Sequence, residues 1–134
     1  MRIKILLTLF LCFFFVGDAV AQGGKAEPNR ISFAKGKSSA SIPGSLKNGE
    51  EYEMVFGAKA GQKVKVTLKS TTPKGNFHYF SLLGDGFDFQ TEFDKNNLYE
   101  FTAPETGDYL LTIYFNATDK VRSGKFLLTL SITN

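Results

Sequence analysis

The stretch from Pro104 to Asn116, PETGDYLLTIYFN, constrains the fold of this chain more than any other. A proline followed by Thr106, Gly107 and Asp108 predicts a tight turn. After the turn, Tyr109, Leu111, Ile113 and Phe115 fall on one face of an extended chain, and Leu110, Thr112 and Tyr114 fall on the other. Period-two alternation is typical of a strand with one face against a core, so the stretch predicts a strand in a layered β-protein.

The first 21 residues have the pattern of a secretory signal peptide. Two basic residues, Arg2 and Lys4, precede an apolar run over 5–16, and the stretch ends in Ala-Val-Ala, with small residues at 19 and 21. A basic start, a short apolar run and a small-residue ending predict cleavage after Ala21 and export to the periplasm or the medium. We expect a signal peptide at 1–21, a flexible leader at 22–29 with two glycines and a proline, and one domain at 30–134.

Cleavage would change both the redox chemistry and the charge of the chain. It removes the single cysteine, Cys12, so the mature chain has no disulfide and no reactive thiol. Without Arg2, Lys4 and Asp18, the chain keeps 14 basic and 12 acidic residues, a net charge of +2. This small and dispersed charge argues against a nucleic-acid partner, and no membrane attachment is expected after cleavage.

The rest of the chain predicts more strands of the same type. Apolar residues alternate with polar ones in about nine short segments separated by Gly, Asn and Pro turns, and no segment has helical spacing with caps. This pattern favours an all-β protein, an antiparallel β-sandwich of the jelly-roll-like type. The predicted core includes Val66, Leu68, Leu111, Ile113, Leu128 and Leu130. Both faces of the segment 76–83 are apolar, so its inward face stays ambiguous.

Catalysis finds little support in the sequence. His78 is the only histidine, and it lies between two aromatic residues on a predicted strand, where a packed histidine is expected more than a catalyst. The mature chain has no cysteine, and no serine-hydrolase, zinc-protease or phosphate-loop motif is present. We therefore predict that the protein is not an enzyme.

An acidic segment offers a metal-binding alternative. Asp85, Asp88, Glu92 and Asp94 supply oxygen ligands of the kind that calcium prefers. Their spacing does not match an EF-hand, so a solvated loop is favoured and no metal site is predicted. A calcium-dependent module remains the alternative.

Several tyrosines allow a functional or a structural interpretation. Tyr109 stands near the start of a strand, where a tyrosine of a Greek-key sandwich often bonds nearby backbone and forms a tyrosine corner. Tyr79, Tyr99 and Tyr114 are predicted to point outward, where they could stack on sugar rings. Outward tyrosines are also common in strands for packing reasons alone.

The spacing of several segments resembles bacterial pre-peptidase C-terminal domains. The segments are ISFAKG at 31–36, SLK at 45–47, AKAGQ at 58–62 before VKVTL at 64–68, and PETGDY at 104–109. The resemblance covers residues 30–133, and it implies a jelly-roll-like β-sandwich. A domain of this type that stands alone behind a signal peptide resembles the exported bacterial inhibitors of invertebrate-type and goose-type lysozymes.

In those inhibitors a motif similar to SGxY lies on a loop that enters the lysozyme cleft. The motif corresponds here to Thr106, Gly107, Asp108 and Tyr109, with threonine in place of serine. The resemblance thus implies a non-catalytic protein without a cofactor, whose partner is a lysozyme of the invertebrate or goose type. A module that binds envelope glycan or protein is the alternative function, and a homodimer is left open.

Overall fold

The structure, a computed structural model, describes residues 28–91 and 96–134, and every regular element within these ranges is a strand. The strands are β1 Asn29–Arg30, β2 Ser39–Lys47, β3 Glu51–Ala58, β4 Lys63–Thr72, β5 His78–Gly84, β6 Leu98–Thr102, β7 Gly107–Phe115 and β8 Ser123–Thr133. No helix in these two ranges is long and apolar enough to cross a membrane. The predicted signal peptide at 1–21 lies outside the described residues, as does most of the predicted leader at 22–29. Strand β1 begins at Asn29, the last residue of that leader.

The strands form two four-stranded sheets that pack face to face. The first sheet has the order β1-β3-β7-β5, and the second has the order β2-β8-β4-β6. All pairings are antiparallel except that of β1 with β3. The predicted all-β sandwich is confirmed, with eight strands in the described ranges where about nine were expected.

Two segments with alternating apolar residues lie outside these strands. Ile31 and Phe33 are only partly buried and pack against the edge of the core without forming a strand of their own. The segment around Phe87 and Phe89 also forms no strand, and both of its rings turn inward onto Tyr109. In both places an apolar alternation marks side chains that cover the edge of the core.

The inward faces of the central strands form one core between the sheets. All six residues predicted to be buried are buried, with exposed fractions of 4% or less. In β5 the inward residues are His78, Phe80 and Leu82, while Tyr79 and Leu83 point away from the core. The pairing of the inward residues with buried residues of β7 thus settles the ambiguous face of this segment.

His78 joins the two sheets at one side of the core. Its Nδ1 lies 2.7 Å from Oγ of Ser70 on β4, and the same Oγ accepts a hydrogen bond of 3.1 Å from the backbone N–H of Phe77. The imidazole packs against the rings of Phe115 and Phe126, and its buried Nε2 has no hydrogen-bond partner. Burial lowers the pKa of His78. The backbone of Gly124 has the opposite effect on this pKa, but a smaller one. The geometry supports a packed, neutral histidine.

Candidate functional site at the turn end of the sandwich

Three turns meet at one end of the sandwich, which we call the turn end. They are the β3–β4 turn at 59–62, the turn after β5 at 85–88, and the β6–β7 turn at 103–106. They meet because β3 and β5 both finish opposite the start of β7: Ala58 pairs with Gly107, and Gly84 pairs with Tyr109. The sequence motifs AGQ and ETGDY are therefore neighbours in space. Ala60 of the first motif and Thr106 of the second are 46 residues apart in the sequence and form a hydrogen bond.

Hydrogen bonds connect the turns at 59–62 and 103–106. The hydroxyl of Thr106 accepts a bond of 2.9 Å from the backbone N–H of Ala60. Beside it, the N–H of Gly61 donates to the carbonyl of Ala103 at 2.9 Å, and the N–H of Ala103 donates to the carbonyl of Gln62 at 2.8 Å. These bonds hold the exposed turn of residues 104–106 in one position.

Tyr109 lies beneath the turn and is fully buried, with an exposed fraction of 0%. Its hydroxyl donates to the carbonyl of Glu105 at 3.1 Å, and its ring stacks on Phe56 at a centroid distance of 5.4 Å. Phe87, Phe89 and Phe101 surround the rest of the ring. Burial raises the pKa of Tyr109, so the hydroxyl stays protonated and can donate.

This geometry is that of a tyrosine corner. It corrects the assignment of Tyr109 as a partner-binding side chain, because a ring with no exposed surface cannot contact a partner while the core stays packed. The role that remains for Tyr109 is to support the turn of residues 104–106 from below. Thr106 is exposed.

Gly107 and Asp108 belong to β7 and not to the turn, which corrects the predicted turn boundary. A Cβ atom at Gly107 would lie 3.0 Å from Cε1 of Phe87, so glycine lets this ring approach the strand closely. Asp108 binds Arg30 of β1, with Nη1 3.1 Å from Oδ1, in an ion pair whose side chains are 55% and 37% exposed. The guanidinium lowers the pKa of Asp108, mainly through this hydrogen bond. Since both groups face solvent, the pair orients Asp108 more than it stabilises the fold.

The acidic segment does not form a metal site within the described ranges. Asp85 and Asp88 are exposed, and no three His, Cys, Asp or Glu residues of 28–91 and 96–134 converge on one point. Glu92 and Asp94 lie outside the described residues. The calcium alternative therefore has no geometric support from the residues that can be placed.

Of the three tyrosines predicted to point outward, one points inward and two lie on an outer face. Tyr99 corrects the sequence prediction: it points inward, since its pairing partner Val66 is buried, and its ring packs against the core beside Phe101. Tyr79 and Tyr114 do lie on the outer face of the first sheet, where their rings stack at a centroid distance of 5.1 Å. This pair is the aromatic surface that a stacking ligand would find.

Comparison with solved structures places this arrangement among known folds. The chain superposes on PliG of Aeromonas hydrophila, a periplasmic inhibitor of g-type lysozyme, with a TM-score of 0.63 and 24% identity over 79% of this chain and 96% of that one. The fold is that of PliG. A PliG mutant from Escherichia coli, also described as a periplasmic inhibitor of g-type lysozyme, gives a TM-score of 0.59 at 25% identity, covering 79% of this chain and 97% of that one.

The same fold also occurs outside PliG. The pre-peptidase C-terminal domain of a Bacillus anthracis collagenase superposes with a TM-score of 0.57 at 18% identity, over 81% of this chain and 98% of that one. No protein-family model matches the sequence, and the curated proteins contain no sequence match. The predicted resemblance to pre-peptidase C-terminal domains and to stand-alone inhibitors of that build is confirmed at the level of the fold.

Sequence reasoning missed several contacts that define the turn end. Arg30 and Asp108 are 78 residues apart, and Ala60 and Thr106 are 46 residues apart. No local pattern connects such pairs. The family motif gave the only signal, since it singled out Thr106 and Asp108 without indicating what they bind.

Proposed function

We propose that this protein is an exported, periplasmic or secreted inhibitor of goose-type lysozyme that acts by binding and has no catalytic activity. Its support is the fold shared over nearly the full length of PliG proteins, which are described as periplasmic inhibitors of g-type lysozyme. The predicted signal peptide agrees with an exported protein. The observation that carries the proposal is the braced, exposed turn of residues 104–106 at the turn end.

This turn is suited to enter a cleft because it is ordered before it binds. Pro104, Glu105 and Thr106 are exposed, while Ala60 holds the turn from the side and Tyr109 holds it from below. A segment that is already ordered loses less conformational entropy on binding, which increases affinity. The hydroxyl of Thr106 accepts from Ala60 and retains a proton that it can donate to a carboxylate of the partner.

The proposal gives the motif residues different roles. Thr106 contacts the partner and also fixes the turn, and Gly107 lets Phe87 pack beneath it. Asp108, held by Arg30, presents a carboxylate beside the turn. Tyr109 only positions the turn. The active-site carboxylates of a glycosidase would be covered by such a plug, and substrate would be excluded.

An inhibition assay tests this proposal directly. We expect purified protein to inhibit a goose-type lysozyme more strongly than a hen-type lysozyme, with an invertebrate-type lysozyme as the third comparison. The measurement is the rate of cell-wall lysis against inhibitor concentration. Folded protein that leaves all three classes unaffected would contradict the proposal.

The glycan-binding alternative has one observation in its favour. Tyr79 and Tyr114 stack on the outer face of the first sheet, and the hydroxyl of Tyr114 lies 3.5 Å from that of Ser81. Aromatic faces beside hydroxyl groups are suited to sugar rings. Retention of the protein on insoluble peptidoglycan, lost in Tyr79→Ala, would support this function in place of inhibition.

A further inference from the structure

We infer that the lysozyme partner also covers an apolar row on the outer face of the first sheet, formed by Val55 on β3, Leu110 on β7 and Leu83 on β5. The three residues are cross-strand neighbours, since Val55 pairs with Leu110 and Leu110 pairs with Leu83. They point away from the core because the residues before and after each of them along its strand are buried. Leu83, next to the end of β5, is 46% exposed and belongs to a contiguous apolar patch instead of standing alone.

The row forms the floor of a shallow pocket of about 230 Å³. Asp85 and Asp108 line one rim of this pocket, and the backbone N–H of Asp85 donates to the carbonyl of Asp108 at 2.7 Å, which holds the rim in place. An apolar floor beside carboxylates suits an apolar side chain flanked by a cationic one. Pockets of this kind often hold the residues that dominate binding energy at protein interfaces.

The row is continuous with the proposed contact turn. Thr106 comes directly before β7, and Asp108 and Leu110 follow it at steps of two residues. At about 3.3 Å per residue along a strand, Leu110 lies roughly 13 Å from Thr106. A stable interface takes about 800 Å² from each partner, which a turn of three exposed residues does not provide. A partner seated on the turn must therefore cover neighbouring surface, and this row is apolar surface on the strand that follows the turn.

The charges near the row favour a basic partner there. Asp85 and Asp108 line it, and Arg30 is already paired with Asp108. The outer face of the second sheet is different, because β4 presents lysines there, at Lys63, Lys65 and Lys69. A basic protein would approach the first sheet and be repelled by the second.

The inference rests on the proposed function, and its test compares two exposed leucines on opposite faces. Leu83→Gln removes the apolar contact from the row, whereas Leu127→Gln makes the same change on the outer face of the second sheet, where Leu127 is 36% exposed. We expect Leu83→Gln to weaken inhibition of goose-type lysozyme by at least about tenfold. Leu127→Gln should leave inhibition within about twofold of the parent protein. Thermal unfolding of both variants checks that the fold is retained.

The outcomes separate this inference from the proposed function. Inhibition by the parent protein with equal potency for the two variants would overturn the inference and leave the proposed function standing. Absence of inhibition by the parent protein would overturn both. If Leu83→Gln lowers the melting temperature, Val55→Thr provides a second variant that keeps the shape and β-branching of the side chain. An unchanged potency in folded Val55→Thr would then contradict the inference.

Discussion

The hydroxyl of Thr106 accepts a hydrogen bond of 2.9 Å from the backbone N–H of Ala60, and this bond links two turns that the sequence separates by 46 residues. The residue that the motif assigns to partner binding is therefore also part of the scaffold. A substitution at Thr106 changes the order of the turn as well as its contacts. Variants at Thr106 therefore have to be compared for both stability and inhibition.

Thr106→Ala removes the acceptor for Ala60, and we expect it to lower the free energy of unfolding by about 0.5–1.5 kcal/mol. Thr106→Ser keeps the hydroxyl and should stay within about 0.5 kcal/mol of the parent protein. Urea denaturation measures both. For inhibition of goose-type lysozyme, we expect a clear loss with alanine and near-parental potency with serine. Equal potency for both variants would mean that the hydroxyl has no role in binding.

Tyr109→Phe removes the bond to the carbonyl of Glu105 and keeps the packed ring. We expect it to lower the free energy of unfolding by about 1 kcal/mol. Tyr79→Phe is the matched control, because this tyrosine lies on the outer face of the first sheet and should change stability by less than about 0.5 kcal/mol. Denaturation curves compare the two. Inhibition that falls more in Tyr109→Phe than its stability predicts would show a direct contact and contradict the tyrosine corner.

His78 makes stability depend on pH. Because burial lowers its pKa in the folded state, the unfolded chain takes up a proton below about pH 6.5 that the folded chain does not. The contribution of the neutral His78 is therefore present above that pH and is lost as the pH falls toward the folded-state pKa. We expect the melting temperature to fall more steeply between about pH 7.5 and 5 in the parent protein than in His78→Asn, which does not titrate. Parallel pH profiles of the two proteins would show that His78 is not responsible.

Leu111 and Leu128 test the core between the two sheets. Both have an exposed fraction of 0%, and we expect Leu111→Ala and Leu128→Ala each to lower the free energy of unfolding by about 2–5 kcal/mol. The neighbouring Leu127 points outward, so Leu127→Ala should cost less than about 1 kcal/mol. An equal loss of unfolding free energy in Leu127→Ala and Leu128→Ala would contradict the assignment of Leu128 to the buried face of β8.

The sequence alone predicted the strands because alternation is a local property. The predicted apolar face of Tyr109, Leu111 and Ile113, for example, is the buried face of β7. The apolar and polar faces of one strand can be told apart without knowing its partner strand. The segment 76–83 shows the limit of this method, since both of its faces are apolar and only its pairing with β7 determined which one is buried.

The motif likewise predicted where the candidate site lies but not what each residue does there. Its position at one end of the sandwich follows from the turn before β7, which the sequence indicates. The burial of Tyr109 depends on Phe56, Phe87 and Phe101, which come from three other parts of the chain. No local pattern contains that information.

What the sequence by itself determined is the class of fold, the alternating faces and the position of the candidate turn, because these follow from side-chain spacing over a few residues. The tertiary structure alone decided which contacts support that turn. Thr106 meets Ala60 and Asp108 meets Arg30 only because β3 and β7 pair in one register and β1 adds at the edge. Strand register depends on the packing of both sheets together, which is a property of the whole chain and not of any segment.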